Sequence, residues 1–162
     1  MLLVLTAAGA FSLACYMFVA GSPVVPADAG MANIVQEFPV TVAHARTPFG
    51  VVSLRLPRHA VGEPDCMATT YWAGGSTTCG DLGPTWIGAD AAIVFGSAPA
   101  DVTTDVVVYK ARELVLHTVA APLAGAATLR FFVGAAPARA GIPLTLLEES
   151  SRGVLVQTFP FQ

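Results

Sequence analysis

The stretch TLRFFV, residues 128–133, decides the fold class of this chain. Leu129, Phe131 and Val133 occupy every second position and alternate with the other three residues. A period of two is expected of a β-strand that has one face in a core, because successive side chains point to opposite sides. The stretch therefore predicts a half-buried strand.

The same pattern recurs along most of the chain. Phe38, Val40 and Val42 alternate with polar or proline positions, and no stretch after residue 30 shows a convincing helical period. Short segments rich in Val, Leu, Thr or Phe and bounded by turn residues predict further strands at 51–56, 91–95, 102–109, 113–120, 142–147 and 154–159. Residues 33–162 are therefore predicted to be a mainly β domain, an antiparallel two-layer β-sandwich of the Ig-like kind. Its predicted core comprises Phe38, Val40, Val106, Val108, Leu129, Phe131, Val133, Leu144 and Leu146.

A different segment precedes this domain. Residues 2–21, LLVLTAAGAFSLACYMFVAG, contain no charged residue, and about 20 apolar residues suffice to span the bilayer core as a helix. We expect a single transmembrane helix over residues 1–21, followed by a Pro- and Ala-rich, semi-extended linker over residues 22–32. Two alternatives stay open: a signal peptide cleaved after Ala27-Asp28-Ala29, and a lipoprotein acylated on Cys15.

The flanking charges give an orientation. Residues 21–38 contain Asp28 and Glu37 and no basic residue, whereas cytoplasmic flanks are enriched in Lys and Arg. We therefore expect a cell-membrane protein with a single span, or an uncleaved signal anchor, and with its bulk on the extracytoplasmic side.

Small residues follow one stripe of the predicted membrane helix. Ala7, Ala10 and Ala14 recur at helical spacing. Helices associate in lipid where small residues let the backbones approach closely. The stripe predicts packing against another transmembrane helix, although an alanine-rich composition explains the same pattern.

Two of the three cysteines lie in CMATTYWAGGSTTCG, residues 66–80. The spacing of Cys66 and Cys79 is too wide for a C-x-x-C redox motif, and structural zinc requires four ligands. In an oxidising compartment, such a pair usually forms a disulfide. We predict this disulfide, closing a strand-poor loop, with Tyr71, Trp72 and the nearby Trp86 either buried beneath the loop or exposed as a partner surface.

The charge and the hydropathy of the chain bear on its expected partners. The net charge is −3, the eight basic residues are scattered, and only 12% of residues are charged, so nucleic acid is not an expected partner. The mean hydropathy of +0.65 agrees with contact between part of the chain and membrane lipid.

A search for catalytic motifs finds none. The sequence has no G-x-S-x-G, P-loop, G-x-G-x-x-G or H-E-x-x-H motif. The three histidines are widely separated, and the aspartates near residues 66–80 lack the spacing of a calcium loop. We expect no cofactor and no metal, and we expect that the protein is not an enzyme.

Residues 48–158 also resemble a family of uncharacterised actinobacterial extracytoplasmic β domains, which are membrane-anchored or secreted. The resemblance rests on a G-x-x-P-x-x-V segment, a Phe-Phe pair and a final hairpin, here formed by Gly96, Pro99, Val102, Phe131, Phe132 and Gly153. Residues 149–152 depart from the Asp-x-x-Gly turn of that pattern. The resemblance implies the β fold and brings no catalytic residues.

These observations leave three functional hypotheses. We expect a non-enzymatic accessory or structural subunit of a bacterial envelope membrane complex, with other membrane protein subunits as partners. The alternative is a secreted or tethered module that binds a glycan, lipid or small molecule. An enzyme would require a site assembled from isolated residues, such as converging histidines or carboxylates in one pocket.

Overall fold

The computed structural model describes the chain over residues 27–58, 64–80, 82–88, 91–123, 126 and 128–161. The predicted transmembrane helix at residues 1–21 and the first part of the predicted linker lie outside these ranges. Among the helices within them, none is long and apolar enough to cross a membrane.

Helix α1, Ala27–Glu37, occupies much of the segment that was predicted as a linker. The linker prediction was wrong from residue 27 onward, because the helix gains a packing partner that its composition does not reveal. The helix packs against β4 and β3, and a Cβ atom at Gly75 would lie 2.5 Å from Cδ1 of Ile34. The Nε atom of Arg55 donates to the carbonyl oxygen of Phe38 at 2.8 Å and so holds the connection that follows the helix.

Most of the remaining described residues are in strands, and all strand pairs are antiparallel. The strands are β1 Val40–Thr47, β2 Gly50–Leu56, β3 Cys66–Tyr71, β4 Gly74–Cys79, β5 Thr85–Gly88, β6 Ala91–Pro99, β7 Val102–Tyr109, β8 Arg112–His117, β9 Val119–Ala120, β10 Leu129–Pro137, β11 Thr145–Ser150 and β12 Leu155–Pro160. A 3-10 turn, Ala138–Ala140, follows β10. The prediction of a mainly β, antiparallel fold is confirmed.

The strands form three sheets of four strands each. Sheet 1 has the order β1-β2-β3-β4, sheet 2 has β5-β6-β10-β9, and sheet 3 has β12-β11-β7-β8. Strand β10 contacts β1 and β2 of sheet 1 and also β7 and β8 of sheet 3. Sheet 2 is therefore the middle layer, and the predicted two-layer arrangement lacked one sheet.

Two hydrophobic clusters occupy the two faces of the middle sheet. Along β6, Ile93 and Phe95 belong to one cluster, whereas Ala92 and Val94 belong to the other. The first cluster, between sheets 1 and 2, contains Val52, Leu54, Leu56, Met67, Leu82, Ile93, Phe95, Ala126, Phe131 and Val133. The second cluster, between sheets 2 and 3, contains Ala92, Val94, Val107, Tyr109, Leu116, Phe132, Ala136, Ala140 and Leu146. Both faces of β6 and β10 are thus buried.

Five of the nine residues predicted for the core are buried. Phe38, Val106, Phe131, Val133 and Leu146 are buried. Val40, Val108 and Leu129 are only half-buried. Leu144 was assigned wrongly: its side chain is 50% exposed, because it precedes the first residue of β11.

Candidate functional site

The predicted disulfide joins Cys66 and Cys79, with an S–S distance of 2.03 Å. The two residues are directly opposite each other on β3 and β4, and their Cα atoms are 4.1 Å apart. The prediction of a strand-poor loop was wrong, because the residues between the cysteines pair in register up to Tyr71 and Gly74. Threonines supply the β propensity of this hairpin, at positions 69, 70, 77 and 78.

Two of the predicted partner-surface aromatics lie at the tip of this hairpin. The ring centroids of Tyr71 and Trp72 are 5.8 Å apart, and both side chains pack partly against the first cluster. The ring of Phe49, from the turn between β1 and β2, lies 5.3 Å from that of Trp72 and is 50% exposed. Phe49 was not among the predicted residues, although its position between proline and glycine in a turn indicates an exposed aromatic.

The third predicted aromatic lies elsewhere. Trp86 of β5 packs against the second cluster and lines a groove of about 510 Å³. The groove runs between the edge strands of sheets 2 and 3 and is lined by Gly83, Pro84, Thr85, Trp86, Phe159, Pro160 and Phe161. None of these side chains is ionisable. The predicted aromatic surface is therefore divided between two places.

An exposed apolar segment lies at the edge of sheet 3. Val154 directly precedes β12, and Leu155 and Val156 are its first two residues; they are 59%, 54% and 42% exposed. Among the described strands, only β11 pairs with β12, and residues 153–162 carry no charged side chain. Edge strands usually carry charges that discourage pairing with other chains. This edge has its apolar residues exposed instead.

Two carboxyl groups that were not among the predicted site residues are buried within the domain. Asp105 of β7 and Glu148 of β11 are directly opposite each other in the strand register, and neither has any exposed surface. Among the described residues, none forms a hydrogen bond with their four carboxyl oxygens. The period of two was the available signal, because Asp105 and Val107 are two residues apart and therefore lie on the same face of β7, the face that packs into the second cluster.

Burial controls the ionisation of this pair. It raises the pKa of Asp105 to about 7, and the charge of Glu148 adds to the effect. Burial likewise raises the pKa of Glu148 to about 7, with a smaller contribution from the Asp101 carboxylate. Both groups therefore bind protons more tightly than ordinary carboxylates.

The remaining polar candidates do not converge on one site. His44 on β1, His117 on β8 and Asp65, which directly precedes β3, are all exposed. His59, Asp81 and Asp90 lie outside the described residues. Over the ranges that the structure describes, no group of three His, Cys, Asp or Glu side chains is arranged to hold a metal ion.

The predicted membrane-packing residues, Ala7, Ala10 and Ala14, also lie outside the described residues. Comparison with protein-family models, curated proteins and solved structures gives no match for this chain.

Proposed function

We propose that this protein is a non-enzymatic, single-pass accessory subunit of a bacterial envelope membrane complex. Residues 1–21 form its transmembrane helix in contact with lipid, and the β domain lies on the extracytoplasmic side. Sheets 2 and 3 constitute an Ig-like sandwich to which sheet 1 is added, in a domain of the actinobacterial kind that the sequence resembles. The partner is another membrane protein subunit, and nucleic acid is not one.

The observation that carries this proposal is the apolar, uncharged edge at β12. No strand in the described part of the chain pairs with the backbone N–H and C=O groups on its outer side, and an open edge of this kind is the requirement for strand addition. Leu155 and Val156 supply exposed apolar contacts beside those groups. An extended segment of a partner would gain backbone hydrogen bonds and bury these side chains together.

Site-specific photo-crosslinking tests this interface. The two outer strands of sheet 3 offer a matched pair of positions, since Leu155 on β12 is 54% exposed and Val115 on β8 is 55% exposed. A photoreactive residue at position 155 should link the full-length protein to one membrane subunit in native membranes. The same residue at position 115 should give no such product.

Charge substitution provides a second readout of the same edge. Leu155→Lys should abolish co-purification of the crosslinked subunit in mild detergent, because a charge at an edge opposes strand pairing. Val115→Lys should leave co-purification unchanged. Equal effects of the two substitutions, or no effect of either, would contradict the proposal.

The groove at Trp86 supports a second candidate function, the binding of a neutral glycan. Sugar rings bind through their apolar faces to aromatic side chains, and this groove offers Trp86, Phe159 and Phe161 without an ionisable group. Titration with neutral oligosaccharides of glucose, mannose and N-acetylglucosamine, followed by tryptophan fluorescence, tests it. Binding that is lost in Trp86→Ala and retained in Trp72→Ala would favour this function over the accessory-subunit role.

A further inference from the structure

We propose that Asp105 and Glu148 share a proton across strands β7 and β11, and that this proton makes the stability of sheet 3 depend on pH. The inference goes beyond the proposed interaction at β12 and does not depend on it. It makes the folding stability of the domain fall as the pH of its surroundings rises.

The strand register places the two carboxyl groups together. Directly paired residues of antiparallel strands have Cβ atoms about 4.5 to 5.5 Å apart, so the carboxyl groups of such a pair are within reach of each other. The next residues on the same face, Val107 and Leu146, belong to the second cluster. On the other side of Asp105, Leu116 packs directly against Gly134 of the middle sheet. The pair is therefore enclosed between sheets 2 and 3.

Among the residues that the structure describes, no charged group supplies a counter-ion to the pair. From sheet 2, Arg130 projects toward the same interlayer, but its Nε and Nη2 atoms donate to Oγ1 and the carbonyl oxygen of Thr118 at 2.6 and 2.8 Å. On β7, the hydroxyl of Tyr109 is buried without a partner among the described residues. Asp101 adds a further negative charge near Glu148.

The outer strands add little charge to this layer. On β8, Leu114 and Leu116 pack into the second cluster. Arg112 is exposed at the start of the strand, where its positive charge opposes the effect of burial on the pKa of Tyr109. On β12, the residue opposite Glu148 is the uncharged Gln157. On β6, the residues that face this layer, Ala92 and Val94, are also uncharged.

Two ionised carboxylates in this position would repel each other, and no described residue donates a hydrogen bond that would compensate. Protonation of one carboxyl group removes the repulsion and creates an O–H donor for the other. In the unfolded chain both groups ionise near their ordinary pKa of about 4. Between about pH 4 and about pH 7 the folded state therefore holds more protons than the unfolded state, and stability falls as the pH rises through this window.

Urea unfolding of the full chain in mild detergent, followed by tryptophan fluorescence from about pH 5 to about pH 8, tests the sign and size of this effect. For each proton that the folded state holds and the unfolded state releases, the equilibrium constant for unfolding should rise about tenfold for every unit by which the pH increases. The double substitution Asp105→Asn and Glu148→Gln should remove this slope. Glu113→Gln, at an exposed position on β8, should preserve it.

Infrared spectroscopy of the unsubstituted protein gives a readout that does not depend on whether the double variant folds. The folded protein at about pH 6 should show the C=O stretch of a protonated carboxyl group, since exposed carboxylates are ionised there. This band should disappear on unfolding at the same pH. A wild-type slope equal to that of the double variant, or absence of the band, would overturn the proposal.

Discussion

Phe131 and Phe132 are consecutive residues of β10, yet they belong to different hydrophobic clusters, and neither side chain has any exposed surface. Phe131 contributes to the layer between sheets 1 and 2, and Phe132 contributes to the layer between sheets 2 and 3. One strand therefore connects both cores. A substitution that disrupts packing on either face of β10 should therefore lower the stability of the whole domain.

The first prediction follows from this double burial. Phe131→Ala and Phe132→Ala should each lower the free energy of unfolding by about 3 to 5 kcal/mol, since each removes a large, fully buried side chain. Urea denaturation measures both losses, with Val115→Ala as the exposed control, for which we expect a change of at most about 0.5 kcal/mol. A near-neutral Phe132→Ala would mean that the second face is not a core.

The antiparallel β fold could be predicted because its cause is local. Strand β7 begins and ends where the sequence analysis placed it, at Val102 and Tyr109, since a Val-rich run between turns favours a strand in almost any context. The third sheet could not be predicted in this way. The period of two places Phe132 on the same side as Arg130, which reads as a solvent-facing side, and only the presence of sheet 3 makes that side a core.

Small residues on the middle sheet permit this close stacking. A Cβ atom at Gly134 would collide with the side chain of Leu116, although Gly134 has a backbone conformation open to any residue. Gly134→Ala should therefore lower the free energy of unfolding by about 1 to 3 kcal/mol through overpacking. In a double-mutant cycle, Leu116→Ala should relieve part of that loss. Strictly additive losses would contradict direct contact between the two positions.

The candidate site was less accessible to sequence reasoning than the fold. Cys66 and Cys79 could be paired because the chain has only three cysteines, and the third, Cys15, lies in the predicted membrane segment. Asp105 and Glu148 are 43 residues apart by their sequence numbers, and no local pattern links them. They meet only because β11 pairs with β7, which is a long-range register that the sequence alone does not specify.

Tyr109 gives a prediction of the opposite sign to the core substitutions. Burial raises the pKa of this tyrosine to about 12, and its hydroxyl has no partner among the described residues. Tyr109→Phe should therefore leave the free energy of unfolding unchanged or raise it by about 1 kcal/mol, because an unmade buried hydrogen bond is costly. Thermal and urea unfolding at one fixed pH measure the change. A loss above about 1 kcal/mol would indicate that the hydroxyl is hydrogen-bonded.

The disulfide should stabilise the β3–β4 hairpin by restricting the unfolded chain. For a closed loop of about 15 residues, the chain-entropy model gives about 3 kcal/mol, so Cys66→Ala with Cys79→Ala should lose roughly this amount. Denaturation of the variant and of the oxidised wild type measures the difference. Non-reducing peptide mapping of protein from native membranes should recover the two cysteines in one linked peptide, whereas two free thiols would contradict an oxidising compartment.

The stripe of small residues in the predicted membrane helix gives the last prediction. Ala10→Leu combined with Ala14→Leu should preserve membrane insertion, since leucine is at least as apolar as alanine. The larger side chains should prevent close approach of a second helix and so weaken detergent-stable association with the partner subunit. Replacing Leu3 and Leu5 with Ile supplies a control that keeps the small residues intact. If the variant with Ala10→Leu and Ala14→Leu retains full association, the helix acts only as a tether, and recognition rests on the β domain alone.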